Sequence, residues 1–192
     1  MLSIRIRNYL YNSKLFTRKF LHFGNDSKID YPSIISKKEK ISIGIKTKIC
    51  ANSRIQNYLS LDNDEIGIYI GNRCFIGYNF TILNASRIII EDDVLIASNC
   101  MITSENHGIN PESNLNYIEQ ELVSKPVRIK SGTWIGQNAC ILPGVEIGNK
   151  CIIGANSVVT KSIPDFCIAC GNPARIIKKY NFEKHKWEKI DE

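Results

Sequence analysis

The chain has 192 residues, 43% of them hydrophobic, and a formal net charge of +6. That length bounds it to one domain with short appendages, and no window approaches the roughly 18 apolar residues of a membrane span. Seven cysteines are an odd number with no zinc-type pairing of CxxC motifs, which argues against a disulfide framework and for reduced thiols.

Charge is uneven along the chain. Residues 1–50 hold eleven basic and three acidic residues, residues 51–170 eight and twelve, and residues 171–192 six and four. Within the first 23 residues, "MLSIRIRNYLYNSKLFTRKFLHF", five Arg or Lys are spread among the apolar ones. A secretory signal places its charges first and then an unbroken apolar run, so a cytoplasmic location is expected. Residues 1–40 read as a basic, helical lead-in followed by an extended link with Pro32. Its commonest role is a solvated face. Weak peripheral association with a membrane is the partner it would add, and no nucleic acid is expected.

From residue 41 a six-residue beat of isoleucines takes over, first through Ile43, Ile49 and Ile55. Residues 56–68 interrupt it as a short loop. It returns as Ile70, Ile76, Ile82 and Ile88, slips by two, and continues as Ile90, Ile96 and Ile102. A third run leads with Ile129, Ile135, Ile141, Ile147, Ile153 and Val159. Six such leads at one phase have a chance probability of roughly a few in ten thousand. The fifth position of each hexad is mostly small and lies two residues before the next lead, so both point to the same side of a short strand. Cys74, Cys100 and Cys151 occupy that position as compact core filler. Glycines follow many leads, where the chain must turn. Short strands that turn at fixed intervals make a coiled parallel β-structure, whose coils bury their interior only by stacking.

Residues 105–128, "ENHGINPESNLNYIEQELVSKPVR", fit no hexad. A loop this long in a regular fold is uncommon and usually functional; it must project outward, because leads on both sides keep the core intact. His107 stands at its root. Imidazole is matched at neutral pH to taking a proton from an attacking hydroxyl. Glu105 or a backbone carbonyl is a candidate to orient the ring. Trp134, at a sixth hexad position, is expected to point outward.

The hexads, together with "PVRIKSGTWIGQNACILPGVEIG", "IIGANSVVTKSIP" and "GNPARII", resemble the hexapeptide-repeat acyltransferases over roughly residues 65–180, and in particular the galactoside, maltose and polysaccharide O-acetyltransferases. The resemblance implies a mainly β fold: a left-handed parallel β-helix over 41–170 with loop 105–128 projecting. A C-terminal turn and amphipathic helix are expected over 171–192. It further implies homotrimers with acetyl-coenzyme A bound between subunits, and His107 as general base for direct transfer to a sugar hydroxyl. By the same resemblance, Trp134, Gln137, Ala155, Lys161 and Arg175 bind the coenzyme, with the two basic residues toward its phosphates. Asn79 and Asn84 would contact the acceptor. No metal is required; a β-helical carbonic anhydrase would need three histidines at one site, and two of the three here lie outside the repeats. The rivals are an N-acetyltransferase of a nucleotide-linked amino sugar, a xenobiotic acetyltransferase, and a non-catalytic β-helical scaffold.

Overall fold

The structure, a computed structural model, describes residues 3–59 and 66–190. Three parallel sheets form the sides of a triangular prism. Face A stacks His22–Phe23, Ile41–Ile43, Ile68–Ile70, Ile88–Ile90, Val127–Ile129 and Glu146–Ile147. Face B stacks Lys28–Ile29, Lys48–Ile49, Phe75–Ile76, Leu95–Ile96, Trp134–Ile135, Ile152–Ile153 and Cys167–Gly171. Face C stacks Ser33–Ile35, Ser53–Asn57, Thr81–Asn84, Met101–Thr103, Cys140–Ile141 and Val158–Val159. The chain visits A, B and C in turn, so each hexad is one side of a coil.

Hexad leads meet in register along the axis. On face B the column runs Ile49, Ile76, Ile96, Ile135, Ile153 and Ala169, and all six are buried. Burying an isoleucine side chain stabilises by about 1.5–3 kcal/mol, and repetition of that gain holds the coil. The slip between Ile88 and Ile90 is a three-residue strand on face A whose two ends both face inward. Ile41–Ile43 and Val127–Ile129 repeat the arrangement.

The fifth position does more than fill space. Cys74 Sγ donates to the carbonyl of Glu91, Cys100 Sγ to Gly136 and Cys151 Sγ to Pro164. Thr47 and Thr133 hydroxyls do the same toward Gly71 and Gly148. Each small donor thus satisfies a corner carbonyl of the next coil, which a buried backbone group requires. Burial pushes the Cys74 thiol up to about 11. At the B–C corners Asn52, Asn79, Asn99, Asn138 and Asn156 adopt positive φ, a conformation asparagine tolerates better than most side chains.

Both ends depart from expectation. The coil begins at His22, not at residue 41: Phe23, Ile29 and Ile35 already keep the six-residue spacing, and their strands pair with those of the second coil. Of the helical lead-in, Ile4–Tyr11 (α1) and Lys14–Thr17 (α2) are α-helical and Lys38–Lys40 is a single 3-10 turn; α1 and α2 cap this end through Tyr11 and Phe16, with Phe20 following them into the core. At the other end the described residues form strands in place of the expected helix. Ala174–Asn181 turns back antiparallel on Cys167–Gly171 and pairs with Lys186–Lys189. The last coil leaves an open strand edge with unpaired backbone groups, and a hairpin satisfies them where a helix would not. Asn181 Oδ1 accepts from the Glu183 and Lys184 amides to shape its turn. Of the short loop expected over 56–68, residues 60–65 lie outside the described residues, and Asn57 still belongs to a strand.

Candidate active site

The long insertion leaves the prism at the corner between faces C and A, after the fourth coil, and rejoins at Val127. Its root is clamped. Buried Ser104 donates from Oγ to the Ser86 carbonyl at 2.7 Å and accepts from the Ala85 and Ser86 amides. The Lys125 amide donates to the Ser104 carbonyl at 2.9 Å. Glu105–Asn106 then pairs antiparallel with Val123–Ser124, so His107 stands one residue beyond a stiff two-stranded stem. Gln120 organises the tip: its Oε1 accepts from the Asn110 amide and its Nε2 donates to the Asn110 and Leu115 carbonyls.

The exposed imidazole opens onto a depression of about 460 Å³ lined by Asn106, His107, Gly108, Ile109, Tyr117 and Val123. Mostly apolar walls with a few polar groups, here His107, Asn106 and the Tyr117 hydroxyl, are the usual character of a small-molecule site. Among the described residues neither Glu105 nor a backbone carbonyl hydrogen-bonds the ring. Tyr117 is a wall residue that the sequence did not single out; the signal available was that it is the one aromatic side chain of residues 105–128.

Lys161 and Arg175 are brought together at the C-terminal end of the prism. Both line a depression of about 330 Å³ with Ser162, Ile163, Ala174 and Ile176. Neither has a carboxylate partner among the described residues, and two such cations form a local positive potential suited to phosphates. Lys161 lies on the same C–A edge as His107, two coils further on, about 10 Å along the axis at one strand spacing per coil. Gln137 and Ala155 stack one coil apart on the B–C edge, linked by the Asn156 amide donating to the Gln137 carbonyl at 2.8 Å. Asn79 shares that edge and donates its amide to Asn99 Oδ1 at 2.8 Å.

Two expected residues sit elsewhere than the site requires of a single chain. Trp134 is 48% exposed and points outward, as expected, but from face B between Leu95 and Ile152. That face lies opposite the C–A edge, so within one chain the tryptophan is not beside the histidine loop. Asn84 is completely buried. Its amide donates to the carbonyls of Gly67 and Ser86, so it locks a corner and offers no surface to an acceptor. Its unpaired Oδ1 and the unpaired Nδ2 of Asn57 are an acceptor and a donor on register neighbours. No cluster of three or more metal-binding side chains occurs among the described residues.

Comparison with known proteins agrees with this architecture. A family model described as bacterial transferase hexapeptide (six repeats) matches residues 126–161, and one described as hexapeptide repeat of succinyl-transferase matches residues 67–104. The galactoside O-acetyltransferase of Escherichia coli (strain K12) is 33% identical over 162 residues, covering 83% of this chain and 77% of that protein. The putative lipopolysaccharide biosynthesis O-acetyl transferase WbbJ of the same strain is 37% identical over 157 residues, covering 79% and 74%. Among solved structures, the hexapeptide-repeat acetyltransferase VCA0836 of Vibrio cholerae O1 biovar eltor, complexed with acetyl coenzyme A, superposes with a TM-score of 0.62 at 26% identity. It covers 91% of this chain and 83% of that one.

Proposed function

Because the chain belongs to the hexapeptide-repeat acyltransferases, left-handed parallel β-helices of the galactoside and polysaccharide O-acetyltransferase type, we propose that it transfers an acetyl group from acetyl-coenzyme A to a sugar hydroxyl. The acceptor we favour is a sugar unit of a surface polysaccharide, which rests on the likeness to WbbJ. The sites would be shared between protomers of a homotrimer.

The observation that carries this reading is the division of the site residues between two sides of the prism. His107 and Lys161 stand on the C–A edge, Asn79, Gln137 and Ala155 on the B–C edge, and Trp134 on face B. The two edges bound opposite ends of face C and the side chains on them are exposed outward, so the two sets do not converge on one small substrate within a chain. A cyclic assembly that sets the C–A edge of one copy against face B and the B–C edge of the next would unite them.

In such a cleft His107 takes the proton of the acceptor hydroxyl as its oxygen bonds to the acyl carbon. The C–S bond then breaks, and the imidazolium returns the proton to the departing thiolate. Lys161 and Arg175 neutralise the coenzyme's phosphates, and Trp134 packs on its pantetheine or on the acceptor. A positioned base contributes about a hundred- to ten-thousand-fold. His107→Ala should therefore cut kcat at least about a hundredfold, with coenzyme binding by calorimetry and the sedimentation profile unchanged. Undiminished hydroxyl acetylation would remove His107 from the mechanism. Transfer confined to amine acceptors, read by mass spectrometry, would redirect the assignment to an N-acetyltransferase.

A further inference from the structure

The N-terminal cap turns the wrong side of its helix to solvent. Along α1 the side facing the prism is held by hydrogen bonds, with the Tyr11 ring its apolar contact to the core. Asn8 Oδ1 accepts from the Tyr31 amide at 2.7 Å, Arg7 Nη1 donates to the Tyr31 hydroxyl at 3.0 Å, and the Tyr11 hydroxyl donates to the Ser33 carbonyl. Asn12, at the C-terminus, grips Ile29 through both its amide atoms. The outward side carries Ile6, Tyr9 and Leu10, spaced as neighbours on one helical stripe. With Ile4, Leu15 and Leu21 they form a set of large apolar side chains that are 45–75% exposed. A soluble helix buries its apolar stripe against its own protein; this one presents it.

Charge identifies the occupant. Residues 3–25 contain Arg5, Arg7, Lys14, Arg18 and Lys19 and no acidic residue. Arg5, Lys14, Arg18 and Lys19 are exposed and have no carboxylate partner among the described residues. A second copy docking this face on itself would set cations against cations, which costs affinity. A polyanion without an apolar phase would leave the isoleucines and leucines wet. Apolar side chains interleaved with basic ones match an anionic lipid surface, where the first enter the acyl boundary and the second meet the headgroups.

We propose that the N-terminal cap, through Ile4, Ile6, Tyr9, Leu10 and Leu15 with the surrounding Arg5, Lys14, Arg18 and Lys19, docks the protein end-on against an anionic bilayer.

The test is cosedimentation of the full chain with vesicles of phosphatidylcholine alone and of an equimolar phosphatidylcholine–phosphatidylglycerol mixture. Binding is expected to the anionic vesicles only. R5Q/R18Q/K19Q should weaken it roughly a hundredfold, since each basic residue near the surface adds about a factor of five. I6S/L10S/L15S should abolish it. Both sets lie on exposed positions, and acetylation of a soluble sugar acceptor by each variant should match the parent, which separates this surface from the active site. No binding to anionic vesicles overturns the proposal. So does binding that the charge variant weakens and the apolar variant leaves intact, which would mark a general polyanion surface. A changed oligomeric state in I6S/L10S/L15S with vesicle binding retained would instead assign the face to contacts between copies.

Discussion

Mixing two inactive variants tests the shared site directly. His107→Ala removes the base from the C–A edge; Trp134→Ala strips the aromatic from the opposite face. Both side chains are exposed, so neither change disturbs the isoleucine columns. If a site draws the histidine from one protomer and the tryptophan from its neighbour, a mixed trimer contains some sites lacking both and some that are whole. Subunits assembled at random from equal amounts make each required partner wild-type half the time, so about one quarter of sites are intact. Co-expressed or co-refolded mixtures should therefore recover about a quarter of parental activity, against a parental variant more than about a hundredfold down for His107→Ala. The assay is thiol release from acetyl-coenzyme A with a sugar acceptor, compared with the same variants assembled separately and then combined. Recovery no greater than the separately assembled sum would refute the division of the site. Full activity of Trp134→Ala by itself would place that residue outside it.

Ile96 is fully buried between Ile76 and Ile135, so Ile96→Ala should destabilise by about 2–5 kcal/mol in denaturant unfolding; a loss below about 1 kcal/mol would mean the column is loosely packed. Gln120→Leu keeps its volume but removes three hydrogen bonds from the insertion, and should raise KM for the acceptor and hydrogen exchange at Asn110 while leaving the unfolding midpoint within about 1 kcal/mol. Stability should fall at both pH extremes. Burial alone would raise the Glu91 carboxyl, but hydrogen bonds from Arg128 and Ser131 hold it below its ordinary range, and the Arg73 guanidinium does the same for Asp93. That stabilisation is complete above about pH 4.5 and is lost as pH drops through the lower folded values. The Cys74 thiol runs the other way: with its pKa raised to about 11, its contribution is complete below pH 9 and is lost between 9 and 11. The loss amounts to roughly 2–3 kcal/mol, and Cys74→Ala should flatten it in thermal melts read by circular dichroism.

The central coils were legible in the sequence because each isoleucine declares which way it faces within two residues of itself. Ile129, Ile135 and Ile141 needed no knowledge of the rest of the chain, and the break at His107 showed as a lapse in the same beat. The first coil was hidden by substitution: Phe23, Ile29 and Ile35 keep the spacing, but Lys28 and Pro32 between them read as a lead-in. The C-terminal segment has apolar residues at positions that satisfy a helical stripe, as Ile177, Tyr180 and Trp187, and also a strand alternation, as Ala174, Ile176 and Tyr180 with only Lys178 interrupting it. Local pattern left that choice open, and the unpaired edge of Cys167–Gly171 decided it.

The candidate site divides in the same way. The sequence by itself determined that there is a stacked, coiled β-structure, that its beat lapses into a long loop at residue 105, and that an imidazole stands at that loop's root, since all three follow from which residues can be buried. Only the tertiary structure decided that Trp134 lies on the face away from that imidazole, that Asn84 is spent on Gly67 and Ser86, and that Lys161 and Arg175 converge. Facing inward or outward is set by neighbours two residues away, whereas the side of the prism on which a residue lies depends on counting every turn before it.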